Sequence, residues 1–161
     1  MVDSRGAVAQ DGRRAERLEL RVPTTATQLP AVRAMAGDLA MRMDYDLDSV
    51  EDLRLAVDEA CAILAAVGQA EEPLTVVFET TRSGLHIEAW VPTQAGVAVP
   101  QDGFGWAVLQ TLVDAVDARS AAQDTVPAGN GTDATVAVIA MDKYLPGQRP
   151  GGAEQIMSVA R

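Results

Sequence analysis

The chain has 161 residues, with 13 basic against 23 acidic side chains and a formal net charge of −10. That length fits one domain, and the charge argues against a nucleic-acid partner held through phosphate contacts. Lys143 is the only lysine and precedes Tyr144, so a P-loop and the lysine-dependent site of eukaryotic-type kinases are excluded. A single cysteine and a single histidine likewise leave no disulfide framework and no Cys/His zinc site.

In chain order, residues 1–15 are polar and irregular and read as a flexible arm. No secretory signal is legible in residues 1–21, and the longest notable apolar run, Cys61 to Val67, falls well short of the ~18 residues of a membrane span. The expected location is therefore cytoplasmic. Alternation of Leu18, Leu20 and Val22 predicts a first strand over 16–22. Pro23-Thr24-Thr25 breaks it and can cap a first helix over 26–43, whose apolar positions are Leu29, Val32, Ala36, Leu39 and Met43. Asp48 or Ser49 is expected to cap a second helix over 49–67, with Glu51 and Asp52 favourable to its dipole. Gly68 ends it.

Residues 74–80 and 85–91 alternate on either side of Ser83-Gly84 and predict a hairpin. A Pro/Gly/Gln-rich loop covers 92–103. A third helix is expected over 104–116 with Asp102 as cap, then a short strand near 118–122 and a last strand over 132–141 after a Pro/Gly turn. Residues 144–161 read as a disordered tail, which leaves 16–143 as the folded domain. The order β-α-α-β-β-α-β-β implies a two-layer α/β sandwich, a mostly antiparallel mixed sheet with helices on one face.

The second helix carries the first candidate site. Glu59 lies opposite its main apolar stripe, yet Leu55, Ala62, Ile63 and Ala66 surround it on the wheel, so the helix is apolar nearly all round. A carboxylate there marks either a site or a solvated Glu among small exposed residues. Arg54 and Asp58 are spaced as an i, i+4 pair, a structural support. A second candidate is Asp102-Gly103-Phe104-Gly105, whose glycines at a helix N-terminus expose amides that can hold phosphate or simply make a capping turn. Gly131-Thr132, entering the last strand, is either a further phosphate-side element or a turn glycine. His86 reads as a bystander on the polar face of its strand, and Trp90 and Trp106 as core or partner-contact residues. The acidic cluster Asp44, Asp46, Asp48, Glu51 and Asp52 is either a solvated helix start or a surface for a basic partner.

Three segments in this order carry a resemblance: Leu53-Arg54-Leu55-Ala56-Val57-Asp58-Glu59-Ala60-Cys61, then Gly103-Phe104-Gly105-Trp106-Ala107-Val108-Leu109 with Leu112-Val113-Asp114, then Gly131-Thr132. Together they resemble the RsbW-type anti-sigma factors and serine-protein kinases of the GHKL (Bergerat, histidine-kinase-like ATPase) superfamily, and are most similar to the actinobacterial UsfX type. The resemblance implies a homodimer that captures an alternative, stress- or sporulation-type sigma factor. It also implies ATP- and Mg²⁺-dependent phosphorylation of a serine on a STAS-domain anti-anti-sigma factor. Carried over, Glu59 is the base that activates the attacking hydroxyl, and Gly103, Gly105, Gly131 and Thr132 lie on the phosphate side of ATP.

The chain departs from that pattern twice. Ile63 stands where the family has its Mg²⁺-ligating asparagine, so no metal ligand is assigned. The segment Glu88-Ala-Trp-Val-Pro-Thr-Gln-Ala-Gly has no aspartate for the adenine amino group. A hydrogen bond to a charged group contributes ~1.5–3 kcal/mol, and a metal that neutralises phosphate charge contributes several kcal/mol. Both losses predict weakened or lost ATP and Mg²⁺ binding, with fold and sigma capture retained. The alternative is a working serine kinase with an unorthodox metal shell.

Overall fold

A computed structural model describes residues 15–25 and 28–150. The elements are β1 (Arg17–Val22), α1 (Leu29–Arg42), α2 (Leu47–Val67), β2 (Leu74–Thr80), β3 (Gly84–Pro92), α3 (Phe104–Leu112), β4 (Ala115–Ala122), a short 3₁₀ turn (Gln123–Thr125) and β5 (Thr135–Tyr144). The expected element order stands. The five strands form one sheet in the order β1-β2-β3-β5-β4, and all four pairings are antiparallel, which removes the mixed character expected of it. Among the described residues no helix is long and apolar enough to cross a membrane. Residues 1–14 and 151–161 of the predicted arm and tail lie outside the described residues.

Strand alternation decides what the helices cover. Leu18 and Leu20, Leu74, Val76 and Phe78, Leu85, Ile87, Ala89 and Val91, and Ala137, Ile139 and Met141 belong to the main core. Against them pack Val32, Leu39, Val50, Leu53, Val57, Leu64 and Leu109 from the three helices. Ala36 and Ala40 of α1 and Ala56 and Ala60 of α2 are fully buried, small side chains that let the helix layer close tightly.

Helix ends differ from expectation where side-chain caps were assigned. Asp46, rather than Asp48 or Ser49, caps α2: its carboxylate accepts the Ser49 N–H at 2.7 Å. That bond holds the Asp46 carboxyl below the usual carboxylate range. α1 starts at Leu29 behind Gln28 with no side-chain cap, and Pro30 in its first turn supplies the helical φ instead. Asp102 does not cap α3 either, since Gly103 holds that position with no side-chain bond.

α3 stops at Leu112, not at 116, because two groups from β5 intercept the chain there. Lys143 Nζ donates to the Leu112 carbonyl at 2.8 Å, and the Tyr144 N–H donates to the Asp114 carboxylate at 2.7 Å. Val116 and Ala118 then serve the core from β4, so the eight-residue strand takes residues expected at the end of the helix. The final strand is displaced C-terminally for a related reason. Gln123 N–H bonds Ala134 O and Asp124 N–H bonds Thr132 O, which keeps 132–134 in the connection. At the other end Asp142, Lys143 and Tyr144 pair with His86, Leu85 and Gly84.

Tyr45 locks that end of the sandwich. Its hydroxyl donates to Lys143 O at 2.5 Å and accepts the Leu85 N–H at 3.0 Å. Burial pushes its phenol up to about 12. Gly84 is required here, since a Cβ would meet the Lys143 carbonyl, the Tyr144 backbone and the Tyr45 hydroxyl.

Candidate functional site

Glu59 and Gly105 meet where α2 crosses the start of α3. A Cβ placed on Gly105 would stand 2.8 Å from Glu59 Oε2 and 3.4 Å from Ile63 Cδ1, so the glycine makes room for the carboxylate and the isoleucine side by side. The two helices run antiparallel along this contact. Lys143 bridges Asp52, at 3.1 Å, to Leu112 O at one end, while Glu59 and Ile63 reach Gly105 at the other. Glu59, Ile63 and Val67 follow at i, i+4 and i+8 on one stripe of α2. Val67 opens onto a cavity of about 470 Å³ lined also by Gly68, Gln69, Ala70, Gln94 and Val97. The stripe therefore runs from a carboxylate at the α3 N-terminus to a cavity under the loop that follows β3.

Each predicted residue can now be placed. Gly103 is exposed, and nothing lies within 4 Å of where its Cβ would be. With Gly103 as an uncapped N-cap, the first amides of α3 keep their donors for a ligand or water. Gly105 is the crowded one. Phe104 between them is 85% exposed. Ile63, half-buried beside Glu59, has no atom that can ligate a cation.

Gly131 has φ +76° in open space, a backbone shape that favours glycine whatever lies nearby. Thr132 Oγ1 donates within the same connection, toward Gln123 Oε1 at 3.0 Å and Asn130 Oδ1 at 2.9 Å. The link to the rest of the site is three residues on, where Thr93 N–H donates to Thr135 O at 2.9 Å. That bond ties the start of β5 to the loop carrying Gln94 and Val97. Thr93 is 3% exposed, the buried polar residue at the position where β3 ends.

Several expected roles are corrected. Arg54 does not pair with Asp58. Its guanidinium lies over Gly37 of α1, where a Cβ would collide with it, and bonds Glu51 at 2.6 Å. Asp58 instead accepts from Arg33 of α1 at 3.1 Å; burial raises its carboxyl above the usual range, with Arg33 opposing. Asp44, Asp46, Asp48 and Glu51 of the acidic cluster are exposed, while Asp46 caps α2, Glu51 bonds Arg54 and Asp52 bonds Lys143.

His86 sits in an ionic array. Its Nδ1 lies 2.7 Å from Asp142 Oδ1 and its Nε2 3.7 Å from Glu88 Oε2, while Arg119 donates to Glu88 Oε1 at 2.5 Å. The Glu88 and Asp142 carboxylates push the imidazole up to about 9 against the opposing cost of burial. Burial works against the Glu88 charge, but His86 and Arg119 hold its carboxyl below the usual range. Only His86 and Glu88 of this array are neighbours in sequence, since Asp142 lies 56 residues from His86 and Arg119 lies 31 from Glu88.

This four-membered array lies on the sheet face turned from the helices, beside a second small core of Trp90, Val126, Val136 and Val138. Trp90 Nε1 donates to Pro127 O at 2.8 Å and fastens the β4–β5 connection over that face. Trp106 belongs to the main core.

Residues 22–133 match the model of the histidine kinase-like ATPase domain. The chain belongs to that family. It is 32% identical over 99 residues to a Mycobacterium tuberculosis protein named anti-sigma-F factor RsbW, a match covering 62% of this chain and 59% of the relative. It is 26% identical over 153 residues to the serine-protein kinase RsbW of Bacillus velezensis, covering 82% of this chain and 88% of that one. The Bacillus subtilis serine-protein kinase RsbW is 25% identical over 156 residues, with 84% and 89% covered. The fold and family implied by the three sequence segments are thus borne out, while the mycobacterial match spans about three fifths of that relative's length.

Proposed function

We propose that this chain is a cytoplasmic anti-sigma factor of the actinobacterial type. It binds and sequesters an alternative sigma factor as a homodimer and is released by a STAS-domain anti-anti-sigma factor. The observation that carries this over a kinase reading is Ile63, whose Cδ1 stands 3.4 Å from the position a Gly105 Cβ would take, on the same side as Glu59. A divalent ion needs several oxygen donors, and the stripe Glu59-Ile63-Val67 offers one carboxylate followed by two hydrocarbons. Mg²⁺ does not fit that donor set. The open glycine turn at Gly103 and the uncapped start of α3 fit a phosphate group. Nucleotide held there without its metal would bind weakly and serve as a structural ligand.

The second reading, a working serine kinase with Glu59 as general base, draws support from the Glu59–Gly105 juxtaposition and from the relatives named serine-protein kinases. One experiment separates them. Purified protein is incubated with labelled ATP, Mg²⁺ and the cognate STAS protein, with Glu59→Ala as control, alongside run-off transcription by the cognate sigma factor. Inhibited transcription with no phosphoserine is the expected result. Glu59-dependent phosphoserine would establish the kinase instead, and unimpaired transcription would remove the anti-sigma assignment.

A further inference from the structure

α2 and α3 each turn one side to solvent, and the two sides adjoin. On α3, Gly105, Val108 and Leu112 recur at i, i+3 and i+7 and are half-buried, the spacing of a stripe laid against α2. Phe104, Ala107 and Thr111, one position before each of them, are exposed. On α2 the half-buried stripe is Glu59-Ile63-Val67, with Leu55 exposed one turn ahead of it and Ala62 and Ala66 exposed beside it. Leu55 at 52% and Phe104 at 85% are two of the four large apolar side chains that stand in solvent among the described residues. The other two sit among charges: Arg42 follows Met41, and Asp46 and Asp48 flank Leu47.

The face carries little charge, and what it carries has one sign. α3 has no charged residue from Phe104 to Leu112, and α2 from Leu55 to Val67 has only Asp58 and Glu59. Asp58 is turned to α1, where Arg33 holds it at 3.1 Å. Among the described residues neither Glu59, at the Gly105 notch, nor Asp102, exposed just ahead of the α3 N-cap, has an ion-pair partner. The positive end of α3 offsets about half a unit charge, against two carboxylates. Lys143, at the other end of the contact, is 13% exposed and already bound to Asp52 and Leu112 O.

Length and charge together decide what fits. Phe104 to Thr111 spans about 10 Å and Leu55 to Ala66 about 16 Å along their axes. A helix of roughly two to three turns, laid between α2 and α3, covers both rows. A purely apolar occupant would strip water from two unpaired carboxylates, a cost that a cation on the occupant removes. A second copy of this chain would bring the same face, carboxylates included, and cannot supply that cation from it.

We infer that the α2–α3 face is the docking surface for an amphipathic helix of the captured protein, apolar along its length and cationic where it meets Glu59 and Asp102. This deepens the anti-sigma reading of the preceding subsection and rests on it. The test is titration calorimetry of the cognate sigma factor against the full chain and its variants, with circular dichroism as the folding control. Phe104→Ser and Leu55→Ser should each raise the dissociation constant at least about tenfold. Glu59→Lys sets a like charge before the incoming cation and should do the same; Glu59→Gln keeps the shape and should weaken capture about threefold, with a shallower salt dependence. Leu47→Ser, an apolar loss at a side chain 77% exposed but off this face, should stay within about twofold of wild type.

Capture that is unchanged in Phe104→Ser and Leu55→Ser overturns the assignment of this face and leaves the anti-sigma reading standing. Capture that falls in those two but ignores both Glu59 variants overturns the cationic helix, and the proposal with it. So does an equal fall in Leu47→Ser. Dissociation of a homodimer by Phe104→Ser, with capture unchanged, gives the face to a second copy instead. A wild-type chain that captures nothing overturns both the proposal and the reading beneath it.

Discussion

Replacing Lys143 by Met tests how the sandwich is closed at the end away from the candidate site. The Lys143 side chain is only 13% exposed, and its ammonium donates to the Leu112 carbonyl at 2.8 Å and to Asp52 at 3.1 Å. Asp52 is 37% exposed, so that ion pair contributes at most about 1 kcal/mol. The bond to the last carbonyl of α3 is charge-assisted and sheltered, worth about 1.5–3 kcal/mol, with a further share from the negative end of the helix. Methionine fills similar volume and recovers part of the loss through its apolar contacts. The net cost should be about 2 kcal/mol, or roughly 4–8 °C in Tm for a chain of this size.

Thermal unfolding followed by tryptophan fluorescence reports it directly, because Trp90 and Trp106 are both buried. Asp52→Asn, which removes only the exposed partner, should lower Tm by no more than about 4 °C. A Lys143→Met chain melting within about 1 °C of wild type would refute the reasoning. So would an Asp52→Asn chain as unstable as the lysine variant, since the carbonyl contact would then contribute nothing.

The His86 array makes stability fall on the alkaline side. The imidazole is raised from 6.5 to about 9 in the folded chain, so its contribution is fully present below the unfolded value and disappears as pH rises through the folded one. With the side chain 30% exposed, screening reduces that contribution to about 1–2 kcal/mol; urea midpoints between pH 6 and 9.5 should decline in wild type and stay flatter in His86→Gln, and equal slopes would count against the array. Cys61 is buried, and burial pushes its thiol up to about 12, so a disulfide reagent at pH 8 should leave native protein unlabelled for hours and modify urea-unfolded protein in minutes. Ile63→Asn places an amide oxygen beside Glu59; calorimetry should then find Mg²⁺-ATP affinity at least about tenfold above wild type, and no gain would mean that Ile63 is not what limits the site.

The three sequence segments carried the family because helix spacing and glycines act locally. Glu59 and Ile63 share a stripe on any α-helix, and Gly103 and Gly105 open α3 whatever surrounds them. The element order was legible for the same reason, as hydrophobic alternation and helical spacing are properties of a few consecutive residues. Boundaries failed where a distant group intervened. Val116 fits the helical spacing of α3 and the alternation of β4 equally well, and only Lys143 and Tyr144, arriving from β5, end the helix at Leu112. The i, i+4 rule paired Arg54 with Asp58, but the gap over Gly37 on the neighbouring helix drew the guanidinium elsewhere.

By itself, then, the sequence determined an acidic chain, its run of strands and helices, and a glutamate-bearing helix with a glycine-opened partner. Tertiary structure alone decided that the Gly105 gap receives Glu59 and Ile63 together, and that His86 lies among carboxylates that favour its charged form. It also decided that the lone lysine, which first served only to exclude other ATP sites, closes the end of α3. Each of these depends on side chains meeting across tens of residues, where burial and the cost of an unpaired charge choose among partners that local spacing treats alike.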